Sequence, residues 1–257
     1  GDDVYDITVD YPTANPAWYS KNASVTKVVF TPAFSNARPT TMSYWFKDCT
    51  NLTAIEGMEY LNTSMVDHFF YTFSGCEKLE YIDVSHFDTS NALIFVGMFQ
   101  GCESLKSLDV SNFKTEKAAF VVGMFSGCKS LTSLDLRYFD MRNVTNMNSM
   151  FSGCTNLKSI YVDADLFQFP KLQENWAQGV FSGCESLEGA SHYDVSKPLD
   201  PEHDQREYLN YTTGYLQKIV GYQGNEPIGA AGDPLKIIDL TLKDKTMFGL
   251  TDNTVVG

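Results

Sequence analysis

The apolar and polar positions of this chain follow one pattern that recurs along most of its length. The apolar positions of one unit, residues 128–153, are Cys128, Leu131, Leu134, Leu136, Phe139, Met141, Val144, Met147, Met150 and Phe151. The alternation Leu134-Asp135-Leu136 predicts a short strand with its leucines inward. Met147, Met150, Phe151 and Cys154 have the i, i+3, i+4, i+7 spacing of one helix face. Each unit is therefore predicted to be a strand, a linker, a short helix and a return.

The unit is marked in every copy by a cysteine that follows a Phe-x-Gly or, in the first copy, a Phe-x-Asp sequence. These cysteines are Cys49, Cys76, Cys102, Cys128, Cys154 and Cys184, at steps of 27, 26, 26, 26 and 30 residues. A nearly constant step of this size is typical of stacked supersecondary units. We therefore predict an α/β solenoid of about six 26-residue coils, each with a short parallel strand and a short helix.

The pattern also predicts where the stack begins and ends. Residues 1–40 do not follow the repeat, but Val4–Val9 and Val25–Phe30 alternate as strands do, so this region is predicted to be an N-terminal cap. Residues 41–190 carry the coils, and residues 191–220 are predicted to close them. Residues 221–257 are predicted to be a glycine-rich linker followed by a terminal strand, Leu235–Leu242.

The spacing Leu131-x-x-Leu134-x-Leu136 is that of a leucine-rich repeat, and it recurs at Leu79 and Leu105. The ninth position, which is an asparagine in the common form, is here Phe87, Phe113 or Phe139. With Ser-x-Phe-x-Thr and Met-Phe-x-Gly-Cys, this departure resembles the bacterial surface leucine-rich repeats of the BspA-like group. The resemblance covers about residues 25–218, and it implies a secreted or cell-surface protein that adheres to host or bacterial surfaces.

Composition narrows the possible partners. The net charge is −13, which argues against nucleic acid and against an anionic membrane surface, since both attract basic proteins. No run approaches the roughly 18 apolar residues of a membrane span, so direct membrane insertion is not expected. The first residues, Gly1-Asp2-Asp3, neither show nor exclude an export signal that has been removed.

The six cysteines are predicted to be a buried ladder of reduced thiols. Each has the same place in its unit, on an apolar face, so equivalent side chains stack instead of pairing. Cysteine is among the residues most often fully buried, where it acts as a small apolar side chain. The chain has no Cys-x-x-Cys cluster of the kind that holds zinc. We therefore expect no metal and no cofactor.

The outward strand positions are the predicted binding surface: Asp83, Asp109, Asp135 and Tyr161. Stacked strands lie about 4.8 Å apart, so these carboxylates would form a column although like charges repel. Two causes remain open. Each aspartate accepts hydrogen bonds from nearby hydroxyls or amides, or the column is a site for a cation or a basic partner. Exposed tyrosines such as Tyr81, Tyr138 and Tyr193 favour an interface, although tyrosines also commonly cover strand surfaces.

The leading functional hypothesis is a non-enzymatic binding or adhesion protein that recognises a protein or glycan through its strand face. Stacked repeats provide a broad, rigid surface that suits recognition better than chemistry. The first alternative is a structural spacer that projects other domains. A second alternative is a hydrolase with its site in the longer fifth unit, residues 163–176, where Asp163 and Asp165 supply carboxylates.

Overall fold

A computed structural model describes the repeat region almost completely. The described residues are residue 16 and residues 18–189, 205, 208–209 and 214–218. The chain divides into two compact units, Gly1–Gln217 and Lys218–Gly257. The predicted strand Val4–Val9 lies outside the described residues, as does nearly all of the second unit, and the predicted closing segment 191–220 is described only in part.

Five short strands and three 3-10 helices make up the regular structure of the described residues. The strands are β1 (Lys27–Val29), β2 (Ala54–Glu56), β3 (Ser133–Leu136), β4 (Ser159–Val162) and β5 (Gln217–Lys218). The 3-10 helices are Tyr19–Ser24, Pro32–Asn36 and Met58–Tyr60. β1 pairs with β2 in parallel, and β3, β4 and β5 form a second sheet in that order, with β3 and β4 parallel. β1 confirms the strand predicted within Val25–Phe30.

The most regular part of the fold lies opposite these strands, where the Phe-x-Gly-Cys stretches of successive units stack in parallel. We call this stack, residues 42–49, 68–76, 94–102, 120–128, 146–154 and 176–184, the turn column. In the third unit, the amides of Phe95, Gly97, Phe99 and Gly101 donate to the carbonyls of residues 120, 122, 124 and 126 in the next unit. Every other pair of successive units in the turn column is joined by four equivalent backbone bonds, at 2.7–3.0 Å.

The predicted short helix in each unit is wrong, because the turn column is built from consecutive turns. Alternate amides donate within the unit, three residues back: Met98 to Phe95, Gln100 to Gly97 and Cys102 to Phe99. The remaining amides donate to the next unit and are therefore not available for an α-helix. Left-handed residues at Gly97 (φ 58°) and Gly101 (φ 72°) interrupt the helical path. No α-helix occurs among the described residues.

The predicted strand in every unit is also absent from the middle of the stack. The described residues contain no regular strand at positions 79–84 or 105–110. In successive units these positions would place Asp83 beside Asp109, and like charges directly opposite each other destabilise pairing. β3 and β4 do pair, and there Asp135 lies opposite the uncharged Tyr161. We infer that repulsion within the aspartate series limits the strand ladder.

Columns of identical side chains fill the interior. The rings of Phe46, Phe73, Phe99, Phe125, Phe151 and Phe181 stack with centroids 5.2–6.0 Å apart and planes within 13°. Phe113 and Phe139, at the ninth position of their units, form a second buried stack at 6.3 Å. Stacked apolar rings of this kind contribute strongly to a core.

The cysteines form the predicted ladder of free, buried thiols. The Cys128 thiol donates to the carbonyl of Phe99 in the preceding unit, at 3.1 Å, and Cys76, Cys102, Cys154 and Cys184 make the equivalent bond at 2.9–3.2 Å. Burial raises the pKa of Cys102 and Cys154 to about 12. Each of these five thiols is thus a neutral donor that ties one unit to the one before it.

Buried threonines perform the role that asparagine has in common leucine-rich repeats. The Thr89 hydroxyl donates to the carbonyl of Lys114 in the next unit, at 3.1 Å, and accepts from the Lys114 amide at 2.7 Å. Thr63 makes the same reciprocal pair with Asp88. One small side chain therefore satisfies a backbone donor and acceptor inside the core, where an unpaired group is costly.

Candidate binding surface

The structure places the predicted binding residues at equivalent positions of successive units. Asp83 and Asp109 are exposed, whereas Asp135 in β3 and Tyr161 in β4 are half-buried. Asp135 and Tyr161 are direct neighbours in the parallel register of their strands. Asp83 and Asp109 lie outside any regular strand. We call Asp83, Asp109, Asp135 and Tyr161 the strand-face set.

Each aspartate of this set closes a turn in its own unit. The Asp83 carboxylate accepts the amide of Ser85 at 2.9 Å, and Asp109 accepts the amide of Ser111 at 2.9 Å. Asp135 accepts the amide of Arg137 at 3.1 Å. Aspartate side chains commonly bond an amide two residues ahead in this way. The local hydrogen-bonding cause is therefore present, and it orients each carboxylate.

The charge along the set is uneven. Arg137 binds the Asp135 carboxylate through its guanidinium, so this aspartate is neutralised within its own unit. Among the described residues, neither Asp83 nor Asp109 has an ion-pair partner. Burial raises the pKa of Asp83, but hydrogen bonds from Ser85 and the nearby His86 outweigh it and leave this pKa below its usual value. Asp83 and Asp109 are thus the uncompensated negative end of the surface.

Two exposed tyrosines lie close to the set in sequence. Tyr81 is 46% exposed, with the Lys106 ammonium 5.7 Å from its ring centroid, and Tyr138 is 50% exposed, with the Arg137 guanidinium at 5.8 Å. Cations at this distance are attracted to the ring face and restrict it. Tyr193, the other tyrosine predicted here, lies outside the described residues. The surface thus combines fixed carboxylates with exposed rings.

The part of the chain that the structure describes holds no group of three or more acidic, histidine or cysteine side chains able to bind a metal. It also holds no helix that is long and apolar enough to cross a membrane.

In the longer fifth unit, Asp163 accepts the amides of Asp165 and Leu166, at 2.8 and 3.1 Å, so its carboxylate closes a turn.

Sequence reasoning did not foresee a cavity at the start of the repeats. It has a volume of about 480 Å³ and lies between the segment 18–34 and the first unit, residues 45–49. Its walls include three rings from that segment and the first unit: Trp18, Phe34 and Trp45. The sequence offered one signal for this cavity, a tryptophan at position 18 and another at position 45, but only the fold brings the two rings into contact.

Comparisons with known proteins give one family match and two solved structures of low similarity. Residues 40–164, just under half of the chain, match a family described as Mycoplasma protein of unknown function, DUF285. A search of curated proteins gives no match. A solved leucine-rich-repeat protein of T. pallidum, TpLRR, is 22% identical over 63% of this chain and 67% of its own, with a TM-score of 0.39.

A second solved leucine-rich-repeat protein, from Bacteroides ovatus, is 19% identical over 62% of this chain and has a TM-score of 0.35. The match spans 47% of that protein, about half of its length. The family at residues 40–164 is a repeat family of the Mycoplasma and BspA type. The family match at residues 40–164 confirms the resemblance to BspA-like leucine-rich repeats that was drawn from the Met-Phe-x-Gly-Cys and ninth-position phenylalanine motifs.

Proposed function

We propose that this chain is a non-enzymatic binding protein that recognises a protein or glycan through the strand-face set. In this proposal the chain is a solenoid of about six coils, capped at both ends, that acts at the cell surface or after secretion. The observation that carries the proposal is the repetition of oriented carboxylates at Asp83, Asp109 and Asp135, each bonded to an amide two residues ahead. A partner meets the same group at three successive units.

The charge distribution supports a cationic group on the partner. Because Asp83 and Asp109 have no ion-pair partner among the described residues, a basic side chain or an amino sugar can complete them without breaking an existing pair. Tyr81 and Tyr138 offer apolar contact nearby, and tyrosine is enriched at interfaces because it supplies area with little loss of entropy. Attraction between exposed charges weakens as salt rises.

The experiment is a glycan and extracellular-matrix array probed with the purified chain at low and high salt. A triple variant, Asp83→Asn with Asp109→Asn and Asp135→Asn, keeps the turn-forming side-chain oxygen and removes the charge. A matched control changes three exposed glutamates elsewhere, Glu116, Glu174 and Glu185, to glutamine. We expect the first variant to lose binding by about tenfold, the equivalent of 1.4 kcal/mol, and the control to bind as the wild type does.

Equal binding by both variants would show that the partner contacts another face. Loss of folding in the triple Asn variant, seen by circular dichroism, would show that the carboxylates are structural. Failure of the wild-type chain to bind anything on the array would favour the spacer that projects other domains.

A further inference from the structure

The cavity at the start of the repeats has the features of a small-molecule site. Its volume of about 480 Å³ falls within the range of ligand pockets, which are mostly apolar with a few placed polar groups. Trp18 meets Trp45 edge-on at 5.9 Å, and Phe34 meets Trp45 edge-on at 6.4 Å. These rings give the cavity rigid apolar walls suited to a flat ligand body.

The position of Trp18 is fixed by the backbone of the first unit. Its indole N–H donates to the carbonyl of Trp45 at 2.6 Å, so the ring is held by a hydrogen bond as well as by ring contact. Phe46, also in the lining, belongs to the buried phenylalanine stack. The walls are therefore anchored to the core, and the cavity is largely formed before any ligand binds.

One lining residue carries a buried donor. The indole N–H of Trp45 is buried, with the residue 1% exposed, and it has no hydrogen-bond partner among the described residues. Nearly all buried polar groups are paired, and an unpaired buried donor costs about 1–3 kcal/mol. Because this nitrogen has almost no accessible surface, a ligand in the cavity does not reach it.

The remaining polar lining is basic although the chain as a whole is strongly acidic. Lys21 and Lys27 both line the cavity, and both are exposed. Lys27 pairs with Glu56 at 2.7 Å, whereas Lys21 has no ion-pair partner among the described residues. Among the described residues, no aspartate or glutamate is part of the lining. An anionic group is therefore favoured at the mouth of an otherwise apolar cavity.

From these observations we propose that the cavity binds a small carboxylate with a flat aromatic or alicyclic body. The body packs against Trp18, Phe34 and Trp45, and the carboxylate pairs with Lys21. This site lies at the first unit and does not depend on the proposed strand-face function.

The test uses the full chain and 2-naphthoate as the probe, with the uncharged 2-naphthamide as its matched control. Isothermal titration calorimetry should give a dissociation constant of about 0.1–1 mM for the naphthoate, as expected for a ligand of this size. The naphthamide should bind about fivefold more weakly because it lacks the charge that pairs with Lys21. In the ¹H–¹⁵N spectrum, the indole resonance that Trp18→Phe removes should move as the aromatic naphthoate is added beside this ring.

Two lysine variants locate the charge contact. Lys21→Gln should weaken naphthoate binding by about fivefold, and Lys158→Gln, an exposed lysine far along the chain, should leave it unchanged. Absence of naphthoate binding by the wild-type chain at millimolar concentration overturns the proposal. Equal affinity for the two probes, an unmoved Trp18 indole resonance, or equal behaviour of the two lysine variants also overturns it.

Discussion

The two long faces of the repeat region differ in which atoms hold the units together. On the turn column, four backbone hydrogen bonds join each unit to the next from residue 42 to residue 182, whatever the side chains. On the strand face of the described residues, regular pairing is confined to β1 with β2 and to β4 with β3 and β5. The turn column therefore aligns the units, and the strand face is left free to vary its side chains.

The same comparison explains how the ends of the turn column are finished. The four amides that each unit donates across the turn column go to the following unit, so the first unit presents carbonyls and the last presents amides. Trp18 and Asn22 donate side-chain N–H groups to the carbonyls of Trp45 and Lys47. At the other end, the buried Gln205 accepts the amide of Phe181 at 2.8 Å. The two ends need opposite capping chemistry because the column has a direction.

The largest expected effect tests whether the phenylalanine stack beneath the turn column supplies most of the stability. Phe125→Ala removes a fully buried ring from the middle of the stack and should lower the free energy of unfolding by about 3–5 kcal/mol. Tyr138→Ala removes an exposed ring near the strand face and should cost under about 1 kcal/mol. Urea unfolding measures both, and equal costs would contradict the asymmetry between the faces.

A smaller effect is expected from the left-handed backbone of the turn column. Gly127 has φ 72°, and a Cβ there would only touch Gly101 at ordinary contact distance, 3.5 Å. The cost of Gly127→Ala should therefore come from the backbone conformation, about 1–2 kcal/mol. Ser126→Ala, one residue earlier, should cost less than about 0.5 kcal/mol. If Gly127→Ala leaves the free energy of unfolding unchanged, the turn column can adopt another backbone conformation at this position.

The thiol ladder makes a prediction about pH. The pKa of Cys102 is about 12 in the folded chain and about 8.5 when unfolded. Because the folded state holds this proton more tightly, stability is complete below pH 8.5 and falls as pH rises above it. Between pH 7.5 and 9.5 one such thiol should lose about 1.4 kcal/mol.

Urea unfolding of the wild type and Cys102→Ala at pH 7.5 and 9.5 tests this effect. The stability difference between the two proteins should shrink by about 1.4 kcal/mol at the higher pH, while other titrating groups affect both equally. A difference that does not change with pH would mean that Cys102 is not buried as a neutral thiol.

The smallest expected effect concerns the strand face itself. Replacing Asp83, Asp109 and Asp135 by asparagine should change the free energy of unfolding by less than about 1 kcal/mol, because asparagine can close the same turns. Relief of repulsion between successive carboxylates favours a slight gain. A loss of several kcal/mol in urea unfolding would place the carboxylates among the groups that hold the units together.

The sequence by itself determined the repeat, its step, its buried positions and its resemblance to BspA-like repeats. The constant spacing of Cys102, Cys128 and Cys154 requires equivalent side chains to stack, so the thiol ladder follows from the sequence alone. It also located the strand-face set, because alternation around Leu134 and Leu136 distinguishes inward from outward positions. Whether that set binds a partner remains a proposal.

Only the tertiary structure decided the backbone path between those positions. The spacing of Met147, Met150, Phe151 and Cys154 fits a helix and also fits consecutive turns, since both bring every third or fourth side chain to one side. The choice depends on where the amides donate, and in this fold alternate amides donate to a neighbouring unit 26 residues away. The cavity beside Trp45 has the same origin, because Trp18 and Trp45 meet only when the N-terminal segment packs on the first unit.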